Sequence, residues 1–141
     1  MKPITEAFPE AKAGSYHVDN CPGYVELLES TGWRSLIDVE ESDYQGSTYV
    51  LCQHEDGRYG FTSISWGSCS GCDALQACNT LEDLAELRDD LLRGVQPYAT
   101  LAEAIAAIEQ DRYLDSDDSW HGKERAEFKA KCRALLDGAV S

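Results

Sequence analysis

Positive charge is scarce in this sequence. Its 141 residues carry 12 Lys and Arg against 26 Asp and Glu, a formal net charge of −14 at neutral pH. Phosphate backbones are bound by clustered Lys and Arg, so this balance argues against nucleic acid as a direct partner. Any apolar run near the ~18 residues of a membrane span is also missing, and no membrane is expected as a partner. The opening MKPITEAFPEAKAG lacks the apolar core of a secretion signal. Cytoplasmic residence is therefore expected, and the six cysteines (21, 52, 69, 72, 78 and 132) should be reduced thiols, not a disulfide framework. No GxSxG, HExxH or GxGxxG occurs, and His17, His54 and His121 stand near no nucleophile pattern. A non-enzymatic protein without a cofactor is the expectation.

Acid is what the chain has in excess, and it is unevenly placed. Residues 1–120 hold 7 basic and 23 acidic side chains, a net of −16; residues 121–141 hold 5 and 3, a net of +2. The acids come in bursts: Asp38, Glu40, Glu41 and Asp43; then Glu82, Asp83, Glu86, Asp89 and Asp90; then Asp111, Asp115, Asp117 and Asp118. Solvated helix faces and loops account for most such runs. The same runs suit a surface that offers carboxylates to a basic partner as a nucleic acid offers phosphates. On that reading the candidate partner-binding residues are Asp38, Glu40, Glu41 and Asp43, with Asp115, Asp117 and Asp118. Trp33, Trp66 and Trp120 read as core. Tyr44, Tyr49 and Tyr59, beside acids, fit an exposed recognition patch equally well.

The length is that of one domain, residues 1–141, large enough to fold without a metal or a disulfide. Residues 1–20 carry Pro3, Pro9 and Gly14 with weak periodicity and read as extended or poorly ordered. Pro22 opens a short helix with Val25, Leu27 and Leu28 on one face and Gly32 as its stop. Leu36, Ile37 and Val39 suggest a short strand leading to an acidic loop. In STYVLCQHEDGRYGFTSISW, Asp56-Gly57 reads as a two-residue type I′ hairpin turn. That register pairs Cys52 with Phe61 and Tyr49 with Ile64. The apolar phase then changes between Phe61 and Ile64, which calls for a bulge near Thr62-Ser63 or a strand buried on both faces. Thr80 and Asp83 form a capping box ahead of Leu84, Leu87, Leu91 and Leu92, with Gly94 at C′. Thr100 and Glu103 repeat the grammar, so these two helices read as a helical hairpin. A last helix turns Phe128, Cys132, Leu135 and Leu136 inward and stops at Gly138. The fold class is α+β: a small antiparallel sheet (hairpin about 47–66) packed against four to five helices, the C-terminal half helical.

Between sheet and helices lies SWGSCSGCDAL, residues 65–75. Zinc is one alternative for Cys69 and Cys72, but a structural site wants two close pairs and only one is present. Redox chemistry is another: a helix opening at GCDALQAC would lower the Cys72 thiol pKa, while Asp73 opposes it. The third is an elbow in which Gly67 and Gly71 supply backbone freedom, Ser70 and Asp73 cap, and the thiols fill space. A phosphate loop is excluded, since its Lys and spacing are absent.

The runs YGFTSISWGSCSGCDALQ and SDDSWHGKERAEF resemble a set of small acidic proteins encoded by phages and mobile elements. Those proteins also carry a strand, a GSCSGCD-like elbow, an acidic helical middle and a Trp-containing last helix. The resemblance covers about half the chain and brings no catalytic residues with it. It implies a phage-type accessory protein in the host cytosol. Such proteins often inhibit host defence, as anti-CRISPR proteins do. The expected function is binding to a basic, nucleic-acid-handling host protein through a nucleic-acid-mimicking anionic surface. The alternative is a thiol-redox or zinc protein using Cys69 and Cys72.

Overall fold

A computed structural model describes residues 1–41, 46–67, 73–111, 114 and 122–140, with 139 and 140 by their backbone alone. The order is α1 (Ile4–Ala7), β1 (Lys12–Ala13), β2 (Val18–Asp19), α2 (Tyr24–Glu29), β3 (Trp33–Glu40), β4 (Gly46–His54), β5 (Tyr59–Trp66), α3 (Leu81–Arg93), β6 (Gln96–Tyr98), α4 (Leu101–Gln110) and α5 (Gly122–Val140). β3, β4, β5 and β6 form an antiparallel meander in that order, and β1 and β2 a small separate ribbon. The fold is α+β. No described helix is long and apolar enough to cross a membrane.

Helices cover both faces of the sheet. On one side Val50, Cys52 and Ile64 pack with Leu28, Trp33 and Val95, under α2 and α3. On the other, Tyr49, Leu51 and Phe61 pack with Ile105, Ile108 and Phe128, under α4 and α5. α3 and α4 therefore lie on opposite faces and do not form the helical hairpin their repeated caps suggest. β6 separates them: Pro97 pairs with Gly60 at the sheet edge, where a residue without an N–H is tolerated. Both N-caps hold, Thr80 accepting from the Asp83 N–H and Thr100 from the Glu103 N–H. Gly94 is a C-cap with φ −78, not a left-handed C′ residue. Residues 1–20 include α1 and the ribbon, with Ile4, Ala11 and Val18 buried against Leu27 and Leu84.

The central hairpin is shifted by one residue from its expected register. Leu51 pairs with Phe61, Cys52 with Gly60 and Tyr49 with Ser63. Type I′ needs positive φ at both turn residues, and only Gly57, at +96, has it. Glu55, Asp56 and Gly57 form a three-residue loop instead, closed by the Gly57 N–H to His54 C=O at 2.9 Å and the His54 N–H to Arg58 C=O at 2.8 Å. A one-residue shift exchanges faces. Phe61 thus joins Tyr49 and Leu51, while Ile64 joins Val50 and Cys52. β5 has no bulge in its pairing with β4; it is buried on both faces from Gly60 to Thr62, while Ser63 and Ser65 are exposed.

The sheet's irregularity sits in β3. Ser35 pairs with Cys52 and Ile37 with Leu51, leaving Leu36 as an extra residue. Trp33 consequently packs on the α2–α3 side and Val39 on the α4–α5 side. Asp38 and Glu40, opposite Val50 and Thr48, are turned to the α2–α3 side.

α5 is anchored by Phe128, fully buried and stacked 5.9 Å from Phe61 and 5.7 Å from Tyr49. Burying such a ring is worth about 1.5–3 kcal/mol, and each aromatic pair adds about 0.5–1.5 kcal/mol. Leu135 is exposed, not core, and α5 runs past Gly138 to Val140.

Candidate functional site

Beneath the first turn of α2, the sheet face is left open. A cleft of ≈ 370 Å³ lies there, floored by Asp38 and Glu40 of β3, Thr48 of β4 and Trp66 of β5. Register explains the gathering: Glu40 pairs with Thr48 and Thr48 with Ile64, so all four side chains fall on one face. Tyr24 and Glu26 of α2 and the turn at Asp73–Leu75 form the walls.

The wall is held by a buried carboxylate. Asp73 accepts from the Gly67 N–H at 3.1 Å, the Leu75 N–H at 3.0 Å, the Gln76 N–H at 3.3 Å and the Tyr24 hydroxyl. Burial first, and then the bond to Asp73, pushes the Tyr24 hydroxyl above its ordinary range, so it stays a donor at all physiological pH. Residues 74–77 form a turn, closed by the Ala77 N–H to Asp73 C=O, and not the helix that would place Cys72 at an N-terminus. Asp73 itself does the capping.

The other three carboxylates are uncompensated. Glu26 and Glu40 form no ion pair, and Asp38 accepts only the Ser35 hydroxyl at 2.7 Å. Among the described residues no group of three His, Cys, Asp or Glu side chains could hold a metal ion. Glu26, Asp38 and Glu40 all line this cleft. Trp66 adds an aromatic surface, and its buried Nε1 has no acceptor. The site can draw in an organic cation and lay it against the rings.

Of the residues expected to bind a partner, Asp38 and Glu40 are exposed and share this cleft. Glu41 is a correction. It is 1% exposed and faces inward, where Oε1 accepts the Ser47 N–H at 2.6 Å and Oε2 the Tyr49 hydroxyl at 2.5 Å. Its neighbour Arg125 is equally buried, so Glu41 offers no charge to a partner. Asp43, Asp115, Asp117, Asp118, Cys69, Cys72, Tyr44, Trp120 and His121 lie outside the described residues. Tyr24, Glu26 and Trp66 are the members that sequence reasoning missed. Glu26 alone carried a signal, as an exposed-phase acid on a short amphipathic helix. Nothing local places α2 over the end of β3.

The described buried thiols are unsuited to nucleophilic chemistry, since burial pushes Cys52 and Cys132 up to about 12 and Cys78 up to about 11. His54 Nδ1 accepts the Asp56 N–H at 3.2 Å while the ring packs edge-on 5.0 Å from Trp33, with no nucleophile beside it. Comparison with protein families, curated proteins and solved structures finds no match.

Proposed function

We propose that the protein is a non-enzymatic binding module whose acidic cleft receives a basic side chain from a partner protein. The observation that carries this reading is the ring of Glu26, Asp38 and Glu40 without a compensating cation, beside Trp66. Isolated exposed ion pairs contribute only about 0–1 kcal/mol. Three like charges in one cleft of a chain with net charge −14 act differently: they focus the field and speed the capture of a cation.

The partner class follows from the same charge. A basic, nucleic-acid-handling host protein offers Arg and Lys where phosphate would otherwise sit, and the cleft competes for them. The similarity of YGFTSISWGSCSGCDALQ to phage-encoded proteins supports a phage-type accessory role, inhibiting a host defence enzyme in the anti-CRISPR manner. Immobilised protein should capture such basic proteins from host lysate at about 0.1 M salt, release them as salt screens the contact, and lose them to added DNA. The Asp38→Asn, Glu40→Gln double variant should capture little. Capture that persists at about 1 M salt, or that the double variant retains in full, sinks the proposal.

A further inference from the structure

The two edges of the sheet are not alike. β6 is three residues long and carries Pro97, which has no N–H to offer a further strand. β3 is eight residues long and pairs on one side only, with β4. Its phase is set just beyond its last residue, where the Glu41 N–H donates to the Ser47 C=O at 3.0 Å. Backbone groups alternate along a strand, so Val39 and Ile37 also face β4, while Asp38 and Glu40 turn their N–H and C=O outward. Before the bulge the outward N–H is that of Ser35, and the Glu29 carboxylate takes it at 3.3 Å. After the bulge nothing comparable is found. Asp38 and Glu40 are exposed, and among the described residues no group takes the main-chain N–H or C=O of either.

Outward main-chain groups of this kind are the template on which a further strand adds. The side chains decide which strand. Asp38 and Glu40 lie on one face, about 6.6–6.8 Å apart. A second copy of the same edge would set these acids against themselves, and like charges directly opposite repel. A segment with Arg or Lys at alternate positions instead sets a cation opposite each acid, at the same spacing. The sheet is antiparallel throughout, and an antiparallel addition is the more stable kind. In that pairing the residues opposite Asp38 and Glu40 exchange N–H and C=O with them, and their side chains fall on the cleft side of the sheet.

We propose that the outer edge of β3 takes up an extended basic segment of a partner protein as an antiparallel fifth strand, with cationic side chains opposite Asp38 and Glu40. This rests on the reading that the cleft takes a basic side chain, and it adds the conformation of the ligand, its two-residue spacing and its main-chain contacts.

The probe is acetyl-Thr-Arg-Thr-Arg-Thr-amide, in which threonine favours the extended form. In the proposed pairing both arginine N–H groups face β3, and the N–H of the middle threonine faces away. Methylating the two arginine nitrogens keeps the charge and blocks the ladder; methylating the middle threonine nitrogen keeps both. The readout is the NMR spectrum of the full wild-type chain. The parent peptide should move the Asp38 and Glu40 amide protons downfield and slow their exchange with solvent. Arginine N-methylation should weaken binding about ten-fold or more, the worth of two hydrogen bonds, and threonine N-methylation by no more than about two- to three-fold. Arginine N-methylation that costs no more than threonine N-methylation overturns strand addition while cation capture stands. So do Asp38 and Glu40 amides that exchange as fast in the saturated complex as in the free protein. Equal binding of acetyl-Thr-Glu-Thr-Glu-Thr-amide overturns the basic partner. If the parent peptide leaves both residues undisturbed while n-propylguanidinium shifts them, strand addition alone fails; if neither disturbs them, cation capture fails with it. The chemistry is varied in the peptide alone, so no outcome depends on a variant that must fold.

Discussion

Arg125 meets Glu41 in the interior of the molecule, 84 residues away in sequence, with Nε 3.3 Å from Oε2 and side-chain exposures of 3% and 0%. The Tyr49 hydroxyl joins them, accepting from Arg125 Nε at 3.0 Å and donating to Glu41 at 2.5 Å. This clasp fastens the start of α5 to the end of β3. Removing Glu41 takes away a buried counter-charge of Arg125. Glu41→Ala should therefore cost about 3–5 kcal/mol in a denaturant melt. Tyr49→Phe should cost about 1–3 kcal/mol. The double variant Glu41→Leu, Arg125→Met should recover most of the loss, since a packed apolar pair avoids the desolvation penalty. A Glu41→Ala protein within about 0.5 kcal/mol of wild type would show that the clasp adds nothing.

Deletion of Leu36 should abolish cooperative folding. The bulge lets Trp33 face α2 while Val39 faces α5. Without the extra residue, either the segment before it or the segment after it turns inside out. Circular dichroism and a urea melt check this. A sharp transition with unchanged slope would mean that the bulge is dispensable.

Two glycines should respond to different causes. Gly57 has φ +96 with open space around its missing side chain, so Gly57→Asn should be nearly silent and Gly57→Val should cost about 1–2 kcal/mol. Gly60 has ordinary φ, but a Cβ there would lie 2.6 Å from Val95 Cγ1 and 2.8 Å from Trp33 Cζ3. Gly60→Ala should cost about 1–3 kcal/mol through overpacking. Equal tolerance of alanine and asparagine at both positions in thermal melts would contradict this division.

The buried thiols predict an alkaline limit. Cys52 and Cys132 titrate near 12 and Cys78 near 11 in the folded chain, against an ordinary 9.0, with burial the leading cause in each. A folded pKa above the unfolded one leaves stability whole below about pH 9 and removes it as pH rises towards 11–12. Urea melts at stepped pH should fall above about 9, and less steeply in Cys52→Ala. Peptide-resolved alkylation should modify exposed Cys21 first among these four and reach the others only on unfolding. Native-state labelling of Cys52 as fast as Cys21 would refute it.

Local chemistry was legible wherever one contact decides the outcome. Thr80 with Asp83 and Thr100 with Glu103 announced the starts of α3 and α4, because a cap depends only on residues three apart. Asp56-Gly57 announced a hairpin but not its length, since two-residue and three-residue loops share the same Gly. Leu36, Ile37 and Val39 announced a strand but not its bulge. Glu41 sits in an acidic burst and reads as surface; its partners Arg125 and Tyr49 are too distant in sequence to betray its burial.

Composition and spacing by themselves determined the α+β class, the central hairpin, the capped helices and the acidic character. Each of these follows from short-range sterics, from hydrogen bonding within a turn, or from simple charge count. Only the tertiary structure decided which face each strand residue takes, that β6 carries the chain to the far side of the sheet, and that Asp38 and Glu40 line a cleft while Glu41 is buried. Those outcomes depend on a single-residue register and on a single-residue bulge. Side chains alternate with a period of two, so a shift of one residue leaves local propensity almost unchanged and exchanges inside for outside.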